Sequence, residues 1–434
     1  MSPYLNFVHG NLRWLAGGFL LCMFSSFGQT FFIALSGGQI RAEYGLSNGE
    51  FGGLYMLATL GSAMTLPVLG RIVDRLSVAA TAMIIMPGLA LACVLMSVSH
   101  SVVLLGLTIY LLRLFGQGMM THTALTAMGR WFLRYRGRAV ASSTLGLQAG
   151  EATMPVLSVV LFATVGWRLS WLASAVFLLV IALPAVYGLM RVEREPEKAQ
   201  PGTRGQAARH WTRREVLRDP YFWLMLCGTL TPGFIGTTIF FHQAYLLELR
   251  GWPAEAFASA FMMMAAMTLA CAQVTGWLID RLGAARVLPM FLAPLSLACF
   301  ALASIEQSWG IFVFMGLLGV SQGITATLFG AIWPEVYGTR HLGSIRSVTV
   351  ALMVLSSAMG PGVSGLLIDA GVSYLRQIMV MGVYCVGIAT LMLWLSQRLV
   401  QRARLADQAA LAEAADASRS ELGSALDPQR GAAD

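Results

Sequence analysis

The chain has 434 residues, of which 57% are A, V, I, L, M, F, W, Y or C and only 12% are charged, against about 25% charged in soluble domains. A soluble fold of this length could not cover its surface from such a composition, which excludes a cytosolic enzyme, a nucleic-acid binder and a disordered scaffold. The formal charge of +8 takes its meaning from where the arginines sit.

A helix needs about 20 apolar residues to cross the hydrocarbon core, and twelve such runs follow one another along the chain. They lie at 12–35, 51–70, 78–98, 102–123, 138–163 and 168–190, then at 221–247, 256–279, 285–305, 308–333, 344–368 and 373–396. Leu46-Ser47-Asn48-Gly49 and Trp252-Pro253 supply the turn chemistry before the second and eighth runs. The run from Leu12 continues past Ala34 without a small-residue cleavage site, so it reads as a retained membrane helix and not a signal peptide. Nothing alternates as barrel strands do. The expectation is an all-α membrane protein of twelve transmembrane helices in two pseudo-symmetric six-helix bundles. Residues 1–190 form the first bundle, 191–220 a polar linker with a short amphipathic helix near His210–Leu217, 221–396 the second bundle, and 397–434 a loosely helical or disordered tail.

Placing the N-terminus on the cytoplasmic side puts 24 of the 29 Lys and Arg residues inside and four (Arg41, Arg168, Arg250, Arg376) outside, with Arg113 within a span. Positive residues stay inside, so both termini are expected to be cytoplasmic, and the net charge calls for no nucleic-acid partner. The six cysteines fall singly in apolar runs and suit neither a disulfide frame nor a metal site. No cofactor is expected.

Shifting the second half by 206 superimposes Gly45 on Gly251, Phe51 on Phe257, Pro155 on Pro361, and Gly70-x-x-x-Asp74-Arg75-Leu76 on Gly276-x-x-x-Asp280-Arg281-Leu282. Gly28-Gln29-Thr30 resembles Gly236-Thr237-Thr238 at an offset of 208, and Gln117-Gly118 meets Gln322-Gly323 at 205. Two parallel six-helix repeats point to a transporter with its site between the halves near the bilayer midplane.

The doubled Gly-x-x-x-Asp-Arg loop resembles the inter-helix motif of the major facilitator superfamily. The second copy keeps Gly283 and Arg286, whereas Ser77 takes the glycine place in the first. Arg113-Leu-Phe-Gly116-Gln-Gly118 and Gly166-Trp167-Arg168 are similar to further motifs of that family. Three stretches, Arg130–Gly137, Asp219–Trp223 and Thr238–Gln243, resemble its bacterial monocarboxylate-porter branch. The uncharged cores of the eighth and eleventh spans point away from dicarboxylates. The resemblance implies a secondary transporter in the bacterial cytoplasmic membrane, and gives Gly70, Asp74, Arg75, Gly276, Asp280 and Arg281 a gating role.

Only Glu151 among the carboxylates and Arg113 among the basic residues lie deep in a span. A charge at a helix centre costs about 2.5–3.5 kcal/mol on the insertion scale, so such residues usually face a cavity. Arg113 is about 11 residues from the outer end of the fourth span and Glu151 about 13 from the inner end of the fifth, which at 1.5 Å per residue puts both near mid-depth. They are therefore expected to be able to meet. Arg113 would attract an anionic substrate while Glu151 takes a proton; the alternative is a permanent ion pair locking two helices. His242 and His122 are candidate titrating groups, or packing residues. Gln29, Thr30, Gln117, Gln148, Thr237, Thr238, Gln243, Gln322 and Thr325 form the uncharged polar set available to a substrate, each with helix–helix hydrogen bonding as its alternative.

The expected function is alternating-access transport of a small organic anion, a monocarboxylate, coupled to protons, by a monomer embedded in the bilayer. The rival is a proton-driven exporter of drugs or metabolites. Glu151-Ala-Thr-Met-Pro155 stands where exporters of this superfamily carry a Gly-Pro motif, which counts against efflux. One mid-depth carboxylate is too few for an intramembrane enzyme, no charged ring or pore loop suggests a channel, and no Gly-x4-Gly-Lys-Ser/Thr motif occurs.

Overall fold

The computed structural model describes residues 3–132, 136–194, 211–338 and 342–425. Among them every regular element is helical, and twelve helices are long and apolar enough to span a membrane: His9–Leu35, Asn48–Leu69, Val78–Val98, Val102–Trp131, Arg138–Val165, Trp167–Met190, Pro220–Phe241, Ala254–Ile279, Ala284–Ser304, Gly310–Tyr337, Val348–Asp369 and Tyr374–Leu405. They are numbered here as spans 1 to 12. Large apolar side chains point outward along them, with Val103 85%, Val180 66% and Val380 66% exposed. In water such a belt would aggregate; in lipid it is the solvated surface.

The turns form for local reasons. Ser47 caps span 2 with a reciprocal box, its Oγ accepting from the Glu50 amide at 3.0 Å while Glu50 Oε2 accepts from the Ser47 amide at 2.9 Å. Short helices Gly37–Tyr44 and Gln243–Arg250 follow spans 1 and 7 and end at Gly45 and Gly251, whose φ values of 63° and 64° need glycine. Ser36 and His242, which precede those helices, have nearly the same backbone angles. The repeat offset of 206 is thus visible in the backbone itself.

The last helix runs unbroken from Tyr374 to Ala425, 52 residues, so the tail to that point continues span 12 as helix. Its sequence beyond the bilayer is rich in Ala, Leu, Gln, Glu and Arg, strong helix formers, and span 12 provides the nucleus from which propagation is inexpensive. The linker helix is short, Arg213–Arg218, started by a Thr212–Glu215 capping box. Asp219 then caps span 7 through the Tyr221 amide and accepts from Tyr337 (3.1 Å) and Arg402 (2.8 Å), tying the linker to spans 7, 10 and 12.

Candidate functional site

Span 1 is discontinuous. Its helix stops at Phe24, a tight 3-10 turn covers Ser25–Gly28, Gln29 is extended (φ −80°, ψ 153°), and a second helix starts at Thr30. Irregular backbone at this depth is tolerated only where it is buried in protein or lines a cavity. The break leaves backbone carbonyls without helical partners, and one of them, Gly28, accepts from the Arg113 guanidinium at 3.3 Å.

Arg113 lies in a widened π-type segment of span 4, Leu112–Met120, a distortion frequent at functional sites. Gly28 and Gly116 let the two irregular segments touch: a Cβ on Gly116 would sit 2.6 Å from the Gly28 Cα, and one on Gly28 would fall on the Leu112 carbonyl. The same guanidinium donates to Thr30 Oγ1 at 3.2 Å and lies over the Tyr55 ring, 5.3 Å from its centroid. Thr30 and Tyr55 share a 2.6 Å hydrogen bond. Arg113 is 3% exposed, its Nε has no hydrogen-bond partner, and among the described residues no carboxylate comes within 4.0 Å of it. The contacts of its charge among those residues are neutral oxygens and a π face.

Glu151 therefore does not pair with Arg113, and neither the direct exchange nor the locking ion pair expected from the sequence exists in this conformation. Gly150 packs against Ser26 and Gly146 against the Phe19 backbone, which turns the neighbouring face of span 5 away from span 1. Gln148 and Glu151, three residues apart, share that other face with Val159 and Phe162, which border the space between the bundles. Gln148 Oε1 and Glu151 Oε2 are buried without partners.

The remaining candidates divide. Gln29 Nε2 donates to Ser25 across the break at 3.4 Å, and Gln117 is half-buried in the π-type segment; both belong to the Arg113 neighbourhood. In the second bundle Thr238 Oγ1 donates to its own helix at Phe234, Thr325 Oγ1 to Ser321, and Gln322 Nε2 sits 4.0 Å from Met264 Sδ. Thr237 is half-buried on the unbroken helix of span 7. Gly28 and Gly236 are thus not structurally equivalent, because span 7 has no counterpart of the break at Gln29. His242 Nε2 donates to the Pro361 carbonyl at 3.0 Å and its ring packs edge-on to Phe241 and Tyr374, a packing role against span 11 at its internal proline. Gln243 Nε2 crosses between bundles to the Phe31 carbonyl at 3.2 Å.

The bundles meet at the face that carries Gly45 and Gly251, called here the far face. Phe51 stacks on Phe241 with centroids 4.8 Å apart, Tyr55 lies against the same ring, and Phe31 against Phe261. Arg41 pairs with Glu248 at 3.6 Å. Asp369, at the end of span 11, accepts from Ser47 Oγ at 2.6 Å and from the Gly49 amide at 2.8 Å, capping span 2 of the other bundle. These hydrogen bonds, ion pair and ring contacts between the bundles lie on this face. Tyr55 was not singled out from sequence, although a hydroxyl in an apolar run is a signal, since it requires a partner once buried.

On the opposite face, the side chains of Asp74 and Asp280 lie outside the described residues. Gly70 packs close to His122, Arg75 is exposed, and Arg281 lies 4.1 Å over Trp277 in the last turn of the helix through Gly276. The two motif copies start their next helices differently. Gly283 (φ 84°) is followed by a helix whose amides at Ala284 and Ala285 are capped by Glu335 of span 10, at 2.7 and 3.1 Å. In the first copy Ser77 does the capping itself, accepting from Ala80 at 3.2 Å with φ −62°, so glycine is not required there.

Two parallel six-helix bundles, joined at one face around a broken helix and a buried cation, have the architecture of a membrane transporter. The chain belongs to the Major Facilitator Superfamily, which it matches over residues 17–361. No curated protein matches it. A bacterial homolog of the human lysosomal transporter Spinster, in an inward-facing and unoccupied conformation, superimposes with a TM-score of 0.68 at 16% identity, covering 92% of this chain and 98% of that one. The nucleoside transporter NupG gives 0.64 at 14% identity, covering 89% and 98%. At these identities the likeness is one of fold.

Proposed function

We propose that this protein carries a small organic anion, a monocarboxylate, together with protons across the bacterial cytoplasmic membrane, working as a monomer with both termini inside. The observation that supports it is Arg113: a guanidinium 3% exposed, at a helix break, with no carboxylate beside it among the described residues. A buried charge is usually paired or coordinated, so the absent partner is assigned to the cargo, with Thr30 and Tyr55 completing a three-point cradle for its carboxylate. Glu151, the one carboxylate in a span core, is the proton carrier in this reading. Its carboxylate forms no ion pair with Arg113, so this reading gives proton and anion separate positions. With the termini inside, the joined far face is the outer one, and the conformation is closed to the outside. Asp74, Arg75, Asp280 and Arg281 belong to the inner gate that closes when the bundles rock.

The test is uptake by proteoliposomes of a carboxylate panel with and without an inward proton gradient. Saturable carboxylate uptake driven by the gradient is expected, lost in Arg113→Gln. In Glu151→Gln, acceleration by the gradient should vanish while carboxylate counterflow persists. Saturable efflux of bulky cations with no carboxylate uptake would overturn both direction and substrate class.

A further inference from the structure

Span 12 carries a cation where the bilayer ends. Measured from Tyr374 at 1.5 Å per residue, Trp394 lies about 30 Å along the helix, the full hydrocarbon thickness. Val380, Val383 and Leu393 form an exposed apolar stripe on this span, and Trp394 and Arg398 extend it, both exposed. The Arg398 guanidinium lies over the Trp394 ring, 5.5 Å from its centroid. Tryptophan marks the membrane–water interface, so Arg398, one turn further on, stands at the level of the lipid headgroups.

The linker helix Arg213–Arg218 is seated beside this corner. Arg402 lies over the rings of Trp211 and Tyr221, at 4.4 and 5.6 Å, and pairs with Asp219 at 2.8 Å. Trp223 Nε1 donates to the Leu217 carbonyl at 2.9 Å, fastening the helix to the first turn of span 7. Val216 is the buried residue of the helix, while Arg213, Arg214 and Arg218 are exposed. Both local acids are engaged: Asp219 accepts from Tyr337, Arg402 and the Tyr221 amide, and Glu215 is folded back onto Thr212 in the capping box. Among the described residues Arg213, Arg214, Arg218 and Arg398 enter no ion pair.

We propose that this corner, between the linker helix and the end of span 12, binds the headgroup of an anionic phospholipid. Its phosphodiester is held by the guanidinium forks, and its acyl chains run along Trp394 and the apolar stripe. Basic clusters beside a membrane helix attract anionic lipid with about 1 kcal/mol for each Arg, or about fivefold in affinity. A bound lipid fastens the linker to the second bundle by a contact the protein alone does not make. The surface does not depend on the cargo at Arg113. Arginines that served only to set topology would act by their number; these act by their place.

The probes are dioctanoyl phosphatidylglycerol and dioctanoyl phosphatidylcholine, which share acyl chains and differ in net charge. Each is titrated against the purified full-length protein, and bound lipid is counted by native mass spectrometry. We expect saturable binding of the glycerol lipid, at least about tenfold tighter than the choline lipid. The triple variant Arg213→Gln/Arg214→Gln/Arg398→Gln should weaken it about fivefold for each arginine removed. The triple variant Arg71→Gln/Arg191→Gln/Arg286→Gln removes the same charge from exposed positions elsewhere and should leave it within about twofold of wild type, the scale of the general surface potential alone. Equal losses in the two triple variants, or no loss in the first, would overturn the proposal. Displacement of the lipid by millimolar inorganic phosphate would overturn it too, making the corner a site for a free anion.

Discussion

Replacing Asp369 by alanine should open the far face. Its carboxylate accepts from Ser47 Oγ and from the Gly49 amide at 2.6 and 2.8 Å, joining span 11 to the start of span 2. Both bonds are charge-assisted, and the acceptor also sits at the positive end of a 22-residue helix. Buried, such bonds contribute about 1.5–3 kcal/mol each; Asp369 is exposed, so about 1–2 kcal/mol for the pair is the appropriate scale after solvent screening. At 1.4 kcal/mol per factor of ten, that raises the fraction of molecules with an open far face about 5- to 30-fold. The measurement is alkylation of Ala34→Cys by an impermeant maleimide. Ala34 borders the space between the bundles at the far face and is fully buried while the face is joined, so its labelling rate follows the open fraction. Asp369→Asn keeps an acceptor but loses the charge, and should fall between wild type and alanine. An unchanged rate in Asp369→Ala would refute the idea that this contact holds the bundles together.

Arg113→Met should reduce carboxylate uptake at least about 30-fold, the effect of removing one partner of a buried charged contact, yet leave the thermal midpoint unchanged or higher, since the charge it removes is uncompensated; a large fall in midpoint would make Arg113 structural. Gly116→Ala forces a methyl group to within 2.6 Å of the Gly28 Cα and should destabilise the protein by about 1–3 kcal/mol, whereas Gly188→Ala, which meets nothing within 4 Å, should not. Glu335→Ala and Ser77→Ala each remove a helix cap and should each cost about 1 kcal/mol in thermal unfolding, roughly additively because they serve different bundles. At the far face, hydrogen bonding to Arg168 holds the Glu43 carboxyl below its ordinary range. A depressed carboxylate pKa contributes stability above the unfolded value and loses it as pH falls through the folded one. Acidification below about pH 4 should therefore lower the midpoint slightly more in wild type than in Glu43→Gln, by under about 1 kcal/mol since the pair is solvent-exposed.

The twelve spans, the repeat and the linker helix were legible because each rests on local signals: run length, capping residues, and glycine at positive φ. Gly45 and Gly251 illustrate it, alike in sequence and in backbone angle. The depth of Arg113 and Glu151 was also legible, since depth is only residue count times rise. What those two residues touch was not. Their separation follows from how span 1 threads between spans 4 and 5, and that depends on Gly28 meeting Gly116 and Gly150 meeting Ser26. Such contacts are tertiary, and several side-chain directions on each helix suit the same sequence equally well. His242 taught the same lesson, since only the packing of span 11 beside span 7 brings the Pro361 carbonyl to its ring.

The departures from symmetry locate the function better than the symmetry does. A perfect repeat would present the same groups from both bundles, and these two bundles do not. The break at Ser36 has its partner at His242, but the break at Ser25–Gln29 has none in the unbroken helix Pro220–Phe241. At the position where Arg113 distorts span 4 into a π-type segment, span 10 continues as regular helix through Gly310–Tyr337. The first bundle therefore holds the charge and the freed carbonyl, while the second contributes Phe241 against Tyr55, the ring that itself lies under the guanidinium. Rocking the bundles apart at the far face must separate Phe241 from Tyr55 and so change the wall of the cradle without moving the cation within its own bundle. That arrangement couples access to binding through one aromatic contact, and Phe241→Ala should relax it: carboxylate affinity measured from the inner side is expected to weaken while Arg113 stays in place. An affinity indifferent to Phe241 would mean that the two bundles are coupled elsewhere.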